Sequence, residues 1–243
     1  DTVLSRGLGD VYKRQLRDVG IWEDIKKNAQ EFNEIYVWDA EGSSSVQFKA
    51  EEISRNDLGA IVHNNIILES IYSKLEQISE VTLIEEESLK EISQDQNKIE
   101  LTSDSGLRIA SELLIGADGS LSKVRDFSRI PIRTWSYEQL AIVSSVTTEV
   151  PLDKTAFQIF TDTGPIALLP LMVGENVASL IWSTDEAYGK KLLELDNDEL
   201  CKELRLKTED KFGDISFNGA INSFPLHQLH AKKFYKGRAV LIG

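Results

Sequence analysis

Cysteine occurs once, at Cys201, which excludes a disulfide framework and any zinc site built on thiolates. That scarcity fits a reducing, cytoplasmic setting. Basic residues are outnumbered: 27 Lys and Arg stand against 40 Asp and Glu, a formal charge of −13. The chain therefore lacks the basic face of a general nucleic-acid binder. No apolar run approaches the roughly 20 residues that cross a bilayer. What is present is a globular balance of 243 residues, 41% hydrophobic and 8% aromatic. That is enough to bury a core in one or two domains, and it argues against disorder.

The two ends do not read as domain ends. The chain starts at Asp1, and Arg238-Ala239-Val240-Leu241-Ile242-Gly243 reads as a buried strand stopping at its own turn. The chain is therefore expected to be a piece of a longer protein. Residues 1–15, DTVLSRGLGDVYKRQ, set Arg6, Lys13 and Arg14 against Asp1 and Asp10 in an otherwise acidic chain. They resemble translated sequencing-adapter read-through and are expected to be a non-native segment, with a native loop as the alternative. Gly7 and Gly9 invite a dinucleotide reading, but no apolar strand precedes them, and a Gly-x-Gly without its strand and helix is a weak signal.

Between the ends the pattern is mixed. Ile21, Trp22 and Ile25 mark a short amphipathic helix. Ile35-Tyr36-Val37-Trp38 and Val46-Gln47-Phe48 flank a turn and predict a hairpin. Residues 58–62 form a short apolar segment. Ile67, Ile71, Leu75 and Ile78 then predict a helix that Asn64 or Asn65 can cap. Residues 81–84 read as a strand. Ile99 and Leu101 pair with Leu107 and Ile109 across Ser103-Asp104-Ser105-Gly106. Leu113-Leu114-Ile115 reads as a strand buried on both faces. From Trp135 to Trp182 the chain is β-rich and predicts an antiparallel sheet holding Val37, residues 157–160, 166–169 and 178–182. Two helices follow, the second capped by Asp196 or Asn197. A parallel sheet remnant is expected from residues 58–84 and 113–118. Trp38, Trp135 and Trp182 read as core, and Glu85-Glu86-Glu87 as a solvated edge.

The chemistry concentrates in Gly116-Ala117-Asp118-Gly119-Ser120-Leu121-Ser122-Lys123-Val124-Arg125. It reads as a strand, a sharp turn and a helix. Gly116 and Gly119 permit positive φ and a close approach, Ser120 or Ser122 can cap the helix, and the helix start offers free N–H groups to a crevice. Asp118 either caps the turn or accepts hydrogen bonds from ribose or ribityl hydroxyls. Asn64 is either a helix cap or a flavin contact. His227 and His230 are spaced so that a strand or loop does not turn both rings to one face, and no third ligand is evident. No metal site is expected.

The full spelling GADGSLSKVR resembles the Gly-Ala-Asp-Gly-x-x-Ser-x-Val-Arg motif of the flavin-dependent aromatic hydroxylases, the p-hydroxybenzoate-hydroxylase-like family. Further segments are similar to its ubiquinone-biosynthesis branch. Val19-Gly20-Ile21-Trp22-Glu23 and Val37-Trp38-Asp39-Ala40 match two of its signatures. Leu58-Gly59-Ala60-Ile61-Val62-His63-Asn64 looks like its Leu-Gly-His-Ile-Val-Glu-Asn segment, with His63 in place of the Glu. Gly164-Pro165-Ile166-Ala167-Leu168-Leu169-Pro170-Leu171 resembles its central strand, and Phe224-Pro225-Leu226 with residues 238–243 resembles the approach to its second flavin motif. The Gly-x-Gly-x-x-Gly expected before residue 16 and the Asp expected after Gly243 are absent from the chain.

The resemblance implies an α/β (α+β) fold: a truncated Rossmann-like FAD-binding domain of residues 16–32, 58–130 and 232–243, and an antiparallel-sheet substrate domain of residues 33–57 and 131–231. It implies FAD as cofactor, NAD(P)H as co-substrate, and transfer of an oxygen atom from O2 to a polyprenylated phenol through a flavin C4a-hydroperoxide. It implies cofactor contacts from Asp118, Gly119, Asn64 and Gly116, a substrate pocket lined by Gly164, Pro165, Ile166 and Leu168, and no catalytic side chain. Arg125 is expected to anchor the motif helix. The resemblance also implies a place in ubiquinone biosynthesis, at the inner membrane surface, in complex with other proteins of that pathway. The fragment is expected to be inactive alone. Another flavin oxidoreductase of the same fold, or a non-catalytic subunit that has lost flavin, are the alternatives.

Overall fold

The computed structural model describes residues 5–242. Its first half carries β1 (Ser5–Leu8), α1 (Asp10–Asp18), α2 (Trp22–Lys26), β2 (Gln30–Phe32), β3 (Glu34–Asp39), β4 (Ser45–Lys49), β5 (Gly59–His63) and α3 (Asn64–Leu75). Next come β6 (Leu89–Gln94), β7 (Ile99–Ser103), β8 (Arg108–Ser111), β9 (Leu114–Gly116) and α4 (Lys123–Phe127). The rest holds β10 (Ile132–Thr148), β11 (Thr155–Thr161), β12 (Gly164–Pro170), β13 (Val177–Asp185), α5 (Glu186–Glu194), α6 (Asn197–Lys207), β14 (Ile215–Phe217), β15 (Asn222–Ala231), β16 (Tyr235–Lys236) and β17 (Ala239–Leu241). The chain divides by packing into two units: residues up to Val81 with Glu138–Leu226, and Thr82–Tyr137 with His227–Gly243. Residues 58–81 thus pack with the sheet-rich unit.

The first unit is built on an eight-stranded sheet, ordered β14-β10-β13-β12-β11-β3-β4, with β15 also on β10. Neighbours along that order pair antiparallel except β3 with β11, which pair parallel. Successive side chains alternate across a strand. Ile142, Ile159, Ile166, Leu168, Leu180 and Trp182 accordingly share one face and are fully buried under Leu192 of α5 and Leu200 and Leu204 of α6. Each such side chain contributes about 1.5–3 kcal/mol relative to its exposed form. Both helices start at a capping aspartate. Asp185 accepts from the Tyr188 N–H at 2.8 Å, and Asp196 forms a capping box with Glu199. All four expected segments lie in this sheet, but it is mixed rather than antiparallel, because Val37 belongs to β3, which pairs parallel with β11.

A smaller sheet, β1-β5-β2, is antiparallel throughout. Ala60 and Val62 of β5 face α2 and share a buried cluster with Leu8, Trp22 and Ile25. Residues 5–15, read from sequence as having no element of their own, form β1 and most of α1 here. Leu8 enters the core, and the buried Lys13 ammonium meets Asp57 at 2.6 Å and lies over the Trp22 ring. An ammonium removed from water needs such a partner.

The second unit holds the antiparallel sheet β6-β7-β8 and the sheet β16-β17-β9, in which β9 and β17 are parallel. Ile99, Val124 and Ala239 form its core. Four expectations change. The strand at residues 59–63 pairs antiparallel, so only β9 with β17 answers to the expected parallel remnant. Residues 81–84 form no strand and are exposed; a short apolar run by itself does not specify a ladder partner. Leu113 and Ile115 are 55% and 54% exposed, because β9 is the edge of a three-stranded sheet and only Gly116 is buried there. Trp135 is exposed, whereas Trp38 and Trp182 are core.

Candidate functional site

The turn between β9 and α4 is held by its own side chains. The two carboxylate oxygens of Asp118 accept from the Ser122 hydroxyl at 2.5 Å and from the Val124 N–H at 3.1 Å. Ser122 Oγ in turn accepts from the Arg125 N–H at 3.0 Å. The buried Arg125 guanidinium donates to the Ser120 carbonyl at 2.6 Å and to Asp126 at 3.0 Å. Of the two serines, Ser122 is the cap, and Arg125 anchors the turn as expected. Burial works to raise the Asp118 pKa. The hydrogen bonds from Ser122, from the Val124 N–H and from nearby backbone outweigh it and hold the carboxyl below its usual value. The side chain thus takes the capping role that sequence left as one of two options. α4 is only five residues long, so the helix-dipole contribution expected at its start is small.

The two glycines serve different ends. A Cβ on Gly116 would lie 2.9 Å from Val124 and Leu241 side-chain atoms, so its absence lets α4 pack on the sheet. Gly119 has φ +76°, and a Cβ there would meet nothing within 4 Å. Its backbone borders a cleft of about 210 Å³ that Gly116, Asp118, His230 and Phe234 also line. The structure therefore brings together Asp118, Gly119 and Gly116. Ligand pockets usually measure about 300–1,000 Å³, so this cleft suits one portion of a dinucleotide. The donor set fits such a portion: an exposed glycine backbone and a carboxylate with lone pairs beyond those the cap uses.

Asn64 belongs to the other unit, as the first residue of α3. Neither it nor Asn65 caps that helix: the N-cap position is His63, without a side-chain cap bond. The Asn64 amide oxygen accepts instead from Arg6 Nε at 2.7 Å, and the residue borders a cleft of about 450 Å³ among β1, α1 and α3.

The expected substrate-pocket residues of β12 divide by the strand's alternation. Ile166 and Leu168 are fully buried in the sheet core, under the helices that cover it. Gly164 and Pro165 are half-buried at the strand's start. Gly164 has φ +136°, and a Cβ would sit 2.3 Å from the Ser183 carbonyl, so the glycine serves the close approach of β12 and β13.

A cleft that sequence reading did not find lies in the first unit, at the end of β5 and against β10. It measures about 390 Å³, and its lining includes His63, Asn65, Ser144, Leu171, Val173 and Asn218. His63 Nδ1 is buried and has no hydrogen-bond partner among the described residues. The buried Ser144 hydroxyl has only long contacts of 3.3–3.5 Å, to the carbonyls of Ser145, Gly219 and Ala220. The available signals were the polar run His63-Asn64-Asn65 at a strand–helix junction and the doublet Ser144-Ser145 inside an apolar strand.

The sequence profile of the FAD binding domain family matches residues 5–243. The chain is 30% identical over 243 residues to the ubiquinone biosynthesis monooxygenase COQ6 of Dictyostelium discoideum, covering 87% of this chain and 48% of that protein. It is 29% identical over 229 residues to the 3-demethoxyubiquinol 3-hydroxylase of Escherichia coli, covering 94% and 58%. Its fold is similar to that of Pseudomonas aeruginosa PqsL in complex with 2-aminobenzoylacetate, with a TM-score of 0.84 at 13% identity over 100% of this chain and 68% of that one. The chain spans about half the length of the curated relatives it matches. With the profile running over nearly all of it, the chain belongs to the FAD binding domain family.

Proposed function

We propose that the protein is an FAD-dependent monooxygenase that hydroxylates a prenylated phenol in ubiquinone biosynthesis, with a nicotinamide nucleotide as reductant. The balance is one aryl C–H, O2, NAD(P)H and a proton giving one aryl C–OH, water and NAD(P)+. The observation that carries the reading is the cleft beside His63, whose apolar Leu171 and Val173 and polar Asn65, Ser144 and Asn218 suit an aromatic ring bearing oxygen substituents. The ubiquinone-biosynthesis relatives supply the substrate class.

FAD supplies the redox chemistry that activates O2. The residues of this chain bind, orient and exclude water. Gly119 and Gly116 offer backbone at the small cleft, Asp118 accepts hydroxyl donors there, and Arg125 keeps the turn in shape. In the first unit, the face of β12 away from the core carries Pro165, Ala167 and Leu169, which are half-buried and offer the apolar wall that Ile166 and Leu168 do not. No helix among the described residues is long and apolar enough to cross a membrane. A prenylated phenol partitions into lipid, and the reading places the protein peripherally at the inner membrane surface.

The test uses a chain that carries both terminal flavin motifs together with these residues; it supplies FAD to the purified protein, desalts it and measures bound flavin by absorbance. Oxidation of NADH or NADPH is then followed with and without an ortho-prenylphenol, and the product is examined by mass spectrometry. A phenol-stimulated rate and a product one oxygen atom heavier are expected. Flavin-bound protein whose nicotinamide oxidation ignores every phenol would overturn the reading.

A further inference from the structure

We propose that the tip of the β12–β13 hairpin, at Met172 and Val173, is the contact for the substrate's prenyl tail and sets the preference for prenylated over bare phenols. This rests on the reading of the protein as a phenol hydroxylase.

The walls of the cleft of about 390 Å³ differ in chemistry and in origin. Its neutral amides and hydroxyls, from Asn65, Ser144, Ser145, Asn218 and Asn222, come from the start of α3, from β10 and from residues 218–222. Its large apolar side chains, Leu171, Val173 and Val177, all come from the β12–β13 hairpin. The polar wall suits the oxygen substituents of a neutral ring, since a carboxylate or phosphate would call for Lys or Arg. The hairpin wall is left to the carbon part of the ligand.

Exposure orders that wall by depth. Leu171 is buried, Val177 is half-buried, and Val173 is 75% exposed. Leu171 therefore lies at the floor and Val173 at the mouth, so a chain leaving the cleft passes over Val173. Met172, the next residue back, is 55% exposed and lines a neighbouring cleft of about 420 Å³ together with Pro170 and Leu171. Apolar surface thus continues from one cleft round the tip into the other. Neither Met172 nor Val173 belongs to the hydrophobic core of the sheet, and accessible apolar surface at a groove with a polar rim marks a binding surface.

The tip is also fixed in place. The Leu171 N–H donates to the Val177 carbonyl at 2.9 Å, and the Val177 N–H donates to the Gly174 carbonyl at 3.1 Å. The Asn176 side-chain amide donates to the carbonyls of Thr148 and Glu149 at 2.9 and 3.0 Å. A backbone so held loses little further freedom when a ligand covers its side chains. A lipid bilayer would cover an apolar tip as well. Beside Met172, however, Asp153 and Glu175 outnumber Lys154, and carboxylates are repelled by an anionic membrane surface. The charge favours the neutral tail as occupant.

The experiment uses a chain that carries both terminal flavin motifs together with these residues, loaded with FAD. Kd is measured by calorimetry for phenol and for ortho-geranylphenol on the parent, Val173→Ser, Met172→Ser and Val173→Leu. Each protein is checked by circular dichroism and for retained FAD. In the parent the geranyl chain should tighten Kd by about tenfold or more. Val173→Ser and Met172→Ser should each weaken geranylphenol by about fivefold and leave phenol within about twofold, and Val173→Leu should restore the parent's gain. Val46→Ser, which removes an exposed valine from β4, should keep that gain. An unchanged gain in both serine variants, or equal weakening for both ligands, overturns the tail role while leaving the hydroxylase reading in place. So does a gain that survives while binding to vesicles of phosphatidylethanolamine and phosphatidylglycerol is lost, which would assign the tip to lipid. A parent that holds FAD but binds neither phenol ends both readings. Should Val173→Ser fail to fold, Met172→Ser decides the matter.

Discussion

The Asp118 carboxylate accepts the hydroxyl of Ser122 at 2.5 Å while Ser122 Oγ accepts the N–H of Arg125 at 3.0 Å. The acidic residue of the flavin motif is therefore also the keystone of its turn, and effects on ligand and on folding need separate variants.

Replacing Asp118 by Ala removes two acceptors from the α4 start and should cost about 1 kcal/mol, the usual scale of a lost cap. Asp118→Asn keeps an acceptor for one of the two donors and should cost less. Because the folded-state pKa of Asp118 is depressed, its contribution is present above the unfolded carboxyl pKa and is lost as pH falls through the folded value. Chemical denaturation of the parent and Asp118→Asn across the acid range checks this: the gap between them should close as the pH drops.

Two glycines should respond oppositely to alanine. Gly164→Ala drives a Cβ against the Ser183 carbonyl at positive φ and should cost roughly 3 kcal/mol or more from strain and overlap. Gly119→Ala faces open space and should cost only the left-handed backbone penalty, about 1–2 kcal/mol. Urea midpoints of the two variants measure the difference.

Leu168→Ala empties a fully buried site between the sheet and its helices. A loss of about 2–5 kcal/mol is expected, with phenol affinity of the folded protein unchanged. A weakened Kd at full folding would return Leu168 to the substrate pocket.

The ion pair between Lys13 and Asp57 reports on residues 5–15. Lys13 is nearly inaccessible and Asp57 partly exposed, so Asp57→Ala should destabilise the full chain by roughly 3 kcal/mol through the stranded ammonium. The same substitution in a chain beginning at residue 16 should have little effect. Equal losses in both would mean that Lys13 is not Asp57's partner in solution.

Local rules made much of the fold legible. The turn at Ser103-Asp104-Ser105-Gly106, with Gly106 at φ +90°, and the capping pair Asp196 and Glu199 are written in adjacent residues. So is the alternation that defines β12 and β13. The motif from Gly116 to Arg125 was legible as a strand, turn and helix for the same reason, and its full spelling pointed to flavin.

What alternation could not tell was which face of β12 meets the helices; Ile166 and Leu168 lie on that face and are buried in the core. The apolar strand Leu113-Leu114-Ile115 was read as doubly buried, although an edge position leaves Leu113 and Ile115 exposed. The cleft at His63 was out of reach, since its walls come from residues as far apart as 63, 144, 171 and 218.

The amino-acid sequence by itself determined the alternation of the large sheet, the Asp196 cap, the turn at Ser103–Gly106 and the flavin-binding family, because these depend on neighbours within a few residues and on contiguous motifs. The tertiary structure alone decided which strand faces are core, that Asp118 serves its own turn, and that His63 lines a cleft with residues distant in sequence. Those outcomes depend on long-range packing, where a residue's environment is made by segments that its own stretch of sequence does not encode.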